Sequence, residues 1–562
     1  MKKVKNLFGM AVMATALVGC SSNDNLNPNA NDNAGKTGEA YASFMINLPT
    51  TSGTRAADDG KPTFDSGTAA EYEVKNGTIL IFDASDKFVT SAELGNMNPW
   101  TDVKTDGVTT SAIATVQLSN VKVGGNYKAL VLLNNNVDAT TTKVTLPTTG
   151  VTYAAWSQDA TKANADKYAL TNGIFMANAP KYIDETTEPT TLVEINNVCA
   201  SPKEAQAKPA TVVYVERGLA KVTMQDFKTG GYSIDAGTYK GAKVEIENWQ
   251  LDVTNKSTFP VHQTGSQTCS LMTSWSEIWS TPRFHDETST AFKRVYWGVD
   301  PNYDNPNYQV LANCETAFNM ITKDKVQGVA GKPQYCLENT FDLDNMKQGQ
   351  TTRVVFKAVF TPKDIATGTT FYKIGNNTAI WSEANLKQQI KTVALTVMGI
   401  KEKSEQDKYG VDLSKGSNIS GVAGHKHLID VKNITYSGEA TSSKVTAEKV
   451  KEINEKLGLS TEVGISTYLS GEAYYIARIK HFNELTPWKT GDAYGTDNGK
   501  YLGRYGVLRN NWYNLSVTSI SGLGYPDVPE VKPTDPDDEN DQYINVEVKI
   551  LDWAKRSQSI DL

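Results

Sequence analysis

Few residues in this chain could start chemistry. His425 and His427 in G-H-K-H could both ligate a metal, but no third ligand stands beside them, and a zinc site needs three or four. His285, Asp286 and Glu287 in R-F-H-D-E place an imidazole beside two carboxylates with the same shortage of partners. Glu216 and Arg217, adjacent in an apolar run, read as a paired charge at a strand edge. There is no G-x-S-x-G, H-E-x-x-H or phosphate-loop pattern, so a hydrolase lacks a convergent nucleophile and base. The expectation is a protein that is not an enzyme and uses no cofactor and no metal.

Two residues do have a definite chemistry. Cys20 ends L-V-G-C, after a basic start (Lys2, Lys3, Lys5) and an apolar run over residues 7–18. That is a bacterial secretion signal closing in a lipobox, in which the cysteine thiol is acylated and becomes the mature amino terminus. The run is too short to span a bilayer. Arg55 lies in T-T-S-G-T-R-A-A-D-D-G, a small polar segment of the kind proteases enter, with the scissile bond between Arg55 and Ala56.

Stepping outward to the elements that carry these residues, two strands flank the chain. Ala42, Phe44, Ile46 and Leu48 alternate with Ser43, Met45 and Asn47, and Pro49 stops the run. Near the other end, Ile544, Val546, Val548 and Ile550 alternate with Asn545, Glu547 and Lys549, and the phase breaks before Trp553. The two strands present the same apolar face over four alternate positions, so they could compete for one groove. Residues 526–541, with prolines at 526, 529, 533 and 536 and the run D-P-D-D-E-N-D, read as a stiff acidic linker that stays out of any core.

The rest reads as an exported all-β protein. Strands are expected over residues 78–82, 112–118, 127–133, 192–198, 211–222, 242–253, 352–360, 474–479 and 512–520, with a helix over 154–169 and another after Thr446 built on Val450, Ile453 and Leu457 and ended by Gly458. Residues 258–345 and 361–430 read as irregular insertions. Fifty-six basic against 63 acidic residues, net −7, argues against nucleic acid as a partner. Cys199, Cys269, Cys314 and Cys336 show no C-x-x-C spacing and demand no disulfide. The ten tryptophans could stack on sugars, which keeps a monomeric glycan-binding surface lipoprotein as the alternative function.

Several runs resemble a known family. Y-C-L-E-N-T (335–340), Y-Y-I-A-R-I-K-H-F (474–482) with L-T-P-W (485–488), and G-R-Y-G-V-L-R-N-N-W-Y (503–513) are similar to the shaft fimbrillins of the short (minor) fimbriae of Bacteroidales, the type V pili. The lipobox, T-R-A at 54–56, V-E-R-G-L-A-K-V (215–222) and the terminal strand with Trp553 resemble the same family. The resemblance implies two transthyretin-like, Greek-key β-sandwich domains, with long insertions and a few short helices. It also implies trimming by an arginine-specific surface protease and head-to-tail polymerisation by donor-strand exchange, alongside accessory tip and anchor subunits. The organisation expected is a signal over 1–20 and a tether and leader strand over 21–55, removed on maturation. Sandwich domains over 56–208 and 209–525, the linker over 526–541 and a donor strand over 542–562 complete it. The membrane is met only through a transient lipid: the precursor sits at the outer membrane and the mature subunit in an extracellular fimbrium that supports adhesion or biofilm formation.

Overall fold

The computed structural model describes residues 37–49, 68–95, 101–102, 108–168, 171–265, 278–280, 284–285, 292–481, 502–537, 544–551 and 556–557. Cys20, Arg55, Ala56, Cys269, Asp286, Glu287 and Trp553 lie outside the described residues.

Nine strands form the first sheet: β1 (Thr37–Pro49), β2 (Gly77–Asp83), β3 (Phe88–Glu93), β4 (Thr101–Asp102), β5 (Val108–Lys122), β6 (Tyr127–Leu133), β7 (Met176–Asn178), β8 (Val193–Ile195) and β9 (Thr211–Arg217). Their spatial order is β3-β2-β6-β7-β9-β1-β5-β4, with β8 beside β6. The sheet curls so that inward residues of β1, β5 and β9 meet those of β2 and β6 in one core, and β3 comes back against β5, nearly closing a barrel. β2 and β6 are apolar without interruption because both faces are covered. Ile79 and Ile81 point into that core, while Leu80 and Phe82 pack outward with Trp156 and Tyr168. The helix expected over 154–169 is only Tyr153–Ser157, followed by two single turns of 3₁₀ helix. The Asp159 side chain, accepting from the Thr161 amide, restarts the chain there instead of continuing the helix.

The chain then supplies β10 (Ala220–Met224), β11 (Tyr232–Ser233), β12 (Lys243–Asp252), β13 (Thr254–Asn255), β14 (Phe318–Asn319), β15 (Gln334–Cys336) and β16 (Arg353–Thr361). Next come β17 (Phe371–Ile374), β18 (Tyr409–Val411), β19 (Gly424–His427), β20 (Ile434–Tyr436) and β21 (Ile465–Tyr468), and finally β22 (Glu472–Arg478), β23 (Trp512–Ile520), β24 (Ile544–Leu551) and β25 (Arg556–Ser557). Two sheets, β15-β10-β23-β24-β25 and β11-β12-β16-β22, face each other. Val222, Met224, Tyr513 and Leu515 on one side meet Val244, Trp249, Phe356 and Tyr475 on the other in one core, as in a sandwich. The fold is therefore all-β. β9, expected to open the second unit, belongs to the first sheet, and the chain passes from one sheet system to the other at Gly218 and Leu219.

Two expectations fail on packing. Residues 361–430 are not irregular throughout. Helix Glu383–Met398 starts at Ser382, whose hydroxyl accepts from the Asn385 amide, and stops at Gly399, which takes the left-handed conformation (φ 69°). Its buried Leu386, Ile390, Ala394 and Met398 share a core with helix Ala447–Lys456 and with β17, β18, β20 and β21. That second helix begins where expected, with the Thr446 hydroxyl accepting from the Lys449 amide. The proline-rich segment, in turn, is packed down as far as Asp537 and does not stand free. Tyr525 and Tyr474 exchange two backbone hydrogen bonds, the Gln348 amide donates to the Asp535 carbonyl, and Asp537 is fully buried, accepting from the Thr351 hydroxyl. Proline removes donors without removing acceptors, so such a segment can still be held by its carbonyls and carboxylates.

Candidate functional site

The leader strand β1 is an interior strand. It pairs antiparallel with β5 from Thr37 opposite Lys122 to Pro49 opposite Val108, and parallel with β9 from Phe44 opposite Thr211 to Asn47 opposite Tyr214. Ala40, Ala42, Phe44 and Ile46 are wholly inside the first core; Leu48 faces Thr110 in the register. The other face is not simply wet. Ser43 is buried and its hydroxyl is 2.6 Å from that of Thr115, and Asn47 is buried, while Met45 is half-exposed. Helix Pro202–Ala207 packs against β1 and β5, and Asn47 lies opposite Tyr214 of β9. Removing β1 would therefore uncover an apolar trough bounded by the unpaired edges of β5 and β9.

The tail strand β24 lies on its own chain. It runs antiparallel to β23, from Ile544 opposite Ile520 to Leu551 opposite Trp512, passing Val546 opposite Val517, Val548 opposite Leu515 and Ile550 opposite Tyr513. β25 continues the sheet beyond it. So the structure does not bring leader and tail strands together; it places them in different sheets.

A buried polar junction joins those sheets, and the sequence reading missed most of it. Glu71, on the short helix Ala69–Tyr72, is 1% exposed. Its carboxylate meets Lys221 Nζ at 2.7 Å, the Tyr335 hydroxyl at 2.5 Å and the Thr68 amide at 2.6 Å. Burial pushes this carboxyl up, but the hydrogen bonds from Lys221, Tyr335 and Thr68 outweigh it and hold the pKa below the ordinary 4.5. Glu216 and Arg217 are not a pair at an edge. As neighbours on a strand they point to opposite faces: Arg217 Nε donates to the Glu71 carbonyl at 3.0 Å, and Glu216 meets His262 Nδ1 at 2.5 Å and Arg294 at 3.8 Å. His262 Nε2 is 2.9 Å from the Trp297 carbonyl. An acceptor beside each ring nitrogen favours the doubly protonated imidazole. Burial lowers its pKa, but the Glu216 carboxylate overrides that and the pKa is raised.

Three of the runs that stood out in sequence, 215–222, 335–340 and 503–513, meet here. Asn510, in the left-handed conformation (φ 59°), donates its amide to the Leu219 carbonyl and accepts from the Arg217 amide. Lys221 sits 3.6 Å over the Trp512 ring, and Glu338 meets Arg509. Their spacing places these groups at the junction.

The histidines do not assemble into a centre. His427 Nε2 donates to the Val422 carbonyl at 2.9 Å, and His285 stacks on Tyr182. Among the described residues, Cys314 and Cys336 are buried thiols outside any disulfide. Trp156, Trp249, Trp279 and Trp297 are buried, and Trp381 and Trp512 are half-buried, so no described tryptophan offers an open sugar-stacking face.

Residues 466–559 match the family model for the C-terminal region of the major fimbrial subunit protein type IV, fimbrillin. No curated protein matches the chain. Among solved structures, it is similar to a candidate cell adhesion protein from Parabacteroides distasonis (11% identity, TM-score 0.35, covering 92% of this chain and 99% of that one). It is also similar to a fimbrial assembly protein from Parabacteroides distasonis (14%, TM-score 0.26, 57% and 82%). A third is the C-terminally truncated tip fimbrial protein Mfa3 from Porphyromonas gingivalis (9%, TM-score 0.25, 91% and 100%). The matched segment contains β22, β23, β24 and β25, which are among the strands of the two sheets that form the second sandwich.

Proposed function

We propose that the protein is a structural subunit of a cell-surface fimbria that supports adhesion or biofilm formation. It is exported as a lipoprotein through Cys20, cut between Arg55 and Ala56 by an arginine-specific surface protease, and polymerised when the tail strand of one subunit enters the place left by β1 in the next. Accessory tip and anchor subunits complete the fibre. The observation that carries this reading is the position of β1: an interior strand, buried on its apolar face, that is joined to the rest of the fold only through the segment containing Arg55. A cut there turns a covalent strand into a ligand that can dissociate, and β-strand addition repairs the gap. Burying four aliphatic side chains of the tail is worth roughly 6 to 12 kcal/mol before ordering costs, comparable with what the departing strand gives up. Loss of the leader leaves 51 basic and 60 acidic residues, net −9, so like-charged subunits must be held by apolar burial.

A second reading keeps the tail at home, and the pairing of β24 with β23 favours it. The two differ after proteolysis. On the assembly reading, full-length protein treated with an arginine-specific protease forms fibres under negative stain, and subunits from those fibres begin at Ala56. A mature start at Cys20, or cleaved protein that stays monomeric, would refute it.

A further inference from the structure

Across the ladder between β1 and β5, the inward side chains alternate in bulk from one strand to the other. Ala40 is opposite Leu118 and Ala42 opposite Val116, whereas Phe44 is opposite Ala114 and Ile46 opposite Ala112. All of them are buried in the first core. Directly opposed residues of an antiparallel pair have Cβ atoms about 4.5 to 5.5 Å apart, so a small side chain on one strand leaves the room that its large neighbour fills. A groove vacated by β1 is therefore uneven. Over Val116 and Leu118 it is already filled from β5 and admits an alanine-sized side chain; over Ala112 and Ala114 it is deep. Val213 of β9, paired with Ile46 and buried in the same core, bounds the deep half on its other side.

The tail does not follow that profile. Ile544, Val546, Val548 and Ile550 put a β-branched aliphatic at every inward position, where β1 begins with two alanines. Laid over positions 42 to 48, the tail brings an isoleucine against Val116, Ile544 if it runs in the direction of β1 and Ile550 if it runs the opposite way. Extra methylenes in a filled core force side chains off their rotamers. Moved two residues toward the Pro49 end, the tail brings isoleucine over Ala114 and valine over Ala112 in either direction. The next inward residue is then Gln542 or Asp552, at the half of the groove that β5 already fills. We propose that Ala112 and Ala114 are the specificity-determining residues of the acceptor groove and set the register of the incoming strand. The inference rests on the strand-exchange reading above. The groove accepts a strand with large aliphatic side chains at the Phe44 and Ile46 positions, and refuses one whose bulk falls at the Ala40 and Ala42 positions.

The test uses full-length protein cut with an arginine-specific protease, with fibres counted under negative stain. The double variant Phe44→Ala/Ala114→Leu moves the bulk from β1 to β5. The uncut precursor then keeps a filled core and a Tm close to that of the wild type, while the groove left by β1 is closed to isoleucine. Fibre yield should fall about tenfold or more. Ile46→Ala/Ala112→Ile makes the same exchange one pair along and is an independent second variant. Adding Ile544→Ala or Ile550→Ala to the first variant should restore fibres in one case and not the other, and the one that rescues gives the direction of the incoming strand. Wild-type fibre yield from both exchanged variants, or no rescue by either alanine, overturns the register proposal and leaves strand exchange standing. Absence of fibres from cleaved wild-type protein overturns strand exchange and this proposal with it.

Discussion

Glu71 is the residue on which the two sheet systems are tied together, because it receives Lys221, Tyr335 and, through its carbonyl, Arg217. Removing one member of a buried ion pair strands the other, at about 3 to 5 kcal/mol. Glu71→Ala should therefore lower stability by that order in urea unfolding, and Glu71→Met with Lys221→Met should recover most of it. The sign of the pH dependence follows from the depressed pKa. The Glu71 contribution is present above the unfolded value of 4.5 and is lost as pH falls through the lower folded value. His262 works in the opposite direction: its contribution is complete below 6.5 and is lost as pH rises through its raised folded value. Unfolding free energy measured against pH should thus fall on both sides, with the acid limb flattened in Glu71→Ala and the alkaline limb flattened in His262→Gln. Phe44 offers a sharper test of β1. Fully buried, it should cost about 3 to 5 kcal/mol as Phe44→Ala in the uncut precursor. If the leader is shed on maturation, fibres from that variant should show wild-type thermal stability; an equal loss in both forms would mean that β1 stays.

At the scale of elements, the tail strand is the one that the assembly reading requires to move. β24 is bordered by β23 and only the two-residue β25, so leaving costs it one full ladder. The preceding segment is clamped through Asp537, and only residues 538–543 separate that clamp from β24. At about 3.3 to 3.6 Å per residue, the seven steps from Asp537 to Ile544 span at most roughly 23 to 25 Å. A donor strand must therefore begin within that distance of its own Asp537, which confines the acceptor to a close neighbour. Deleting residues 542–562 should leave a folded, Arg55-cleaved monomer by size-exclusion chromatography that forms no fibres. Fibres from the truncated chain, or its unfolding, would sink the exchange model.

For the whole molecule, the two sheet systems share the continuous run β9 and β10 and the junction beneath it. A load applied along the chain from one sheet system to the other would pass through buried ion pairs and backbone hydrogen bonds, which suits a subunit that transmits tension. The proposed function places lipidation and export before assembly. Cys20→Ala removes the thiol that the proposal acylates, so surface fibres should be absent by electron microscopy of whole cells while the precursor accumulates; normal fibres would show that Cys20 is dispensable.

The chain's own residues determined its strands: the apolar run Tyr127–Leu133, which buries both faces, and the alternating Trp512–Ile520, which buries one, carry the limits expected of them. They also determined the Thr446 cap and the strand character of both ends, since caps and strand patterns are local. The helix Glu383–Met398 is equally legible in Leu386, Ile390, Ala394 and Met398 at four-residue spacing, although the stretch around it reads as an irregular insertion. Tertiary structure alone decided the partners. Glu216 finds His262 46 positions away, Arg217 finds Glu71 at 146 and Asn510 at 293, and no local pattern encodes such distances. The same holds for Ser43 and Asn47, polar residues at alternating positions that become buried through contacts with distant segments, Ser43 beside Thr115 and Asn47 beside Tyr214. It holds also for the prolines before the tail, whose composition suggests a free linker until carbonyls and carboxylates find donors on Arg353 and Thr351. Periodicity fixes which face of a segment turns inward; what that face meets depends on how distant segments fold together.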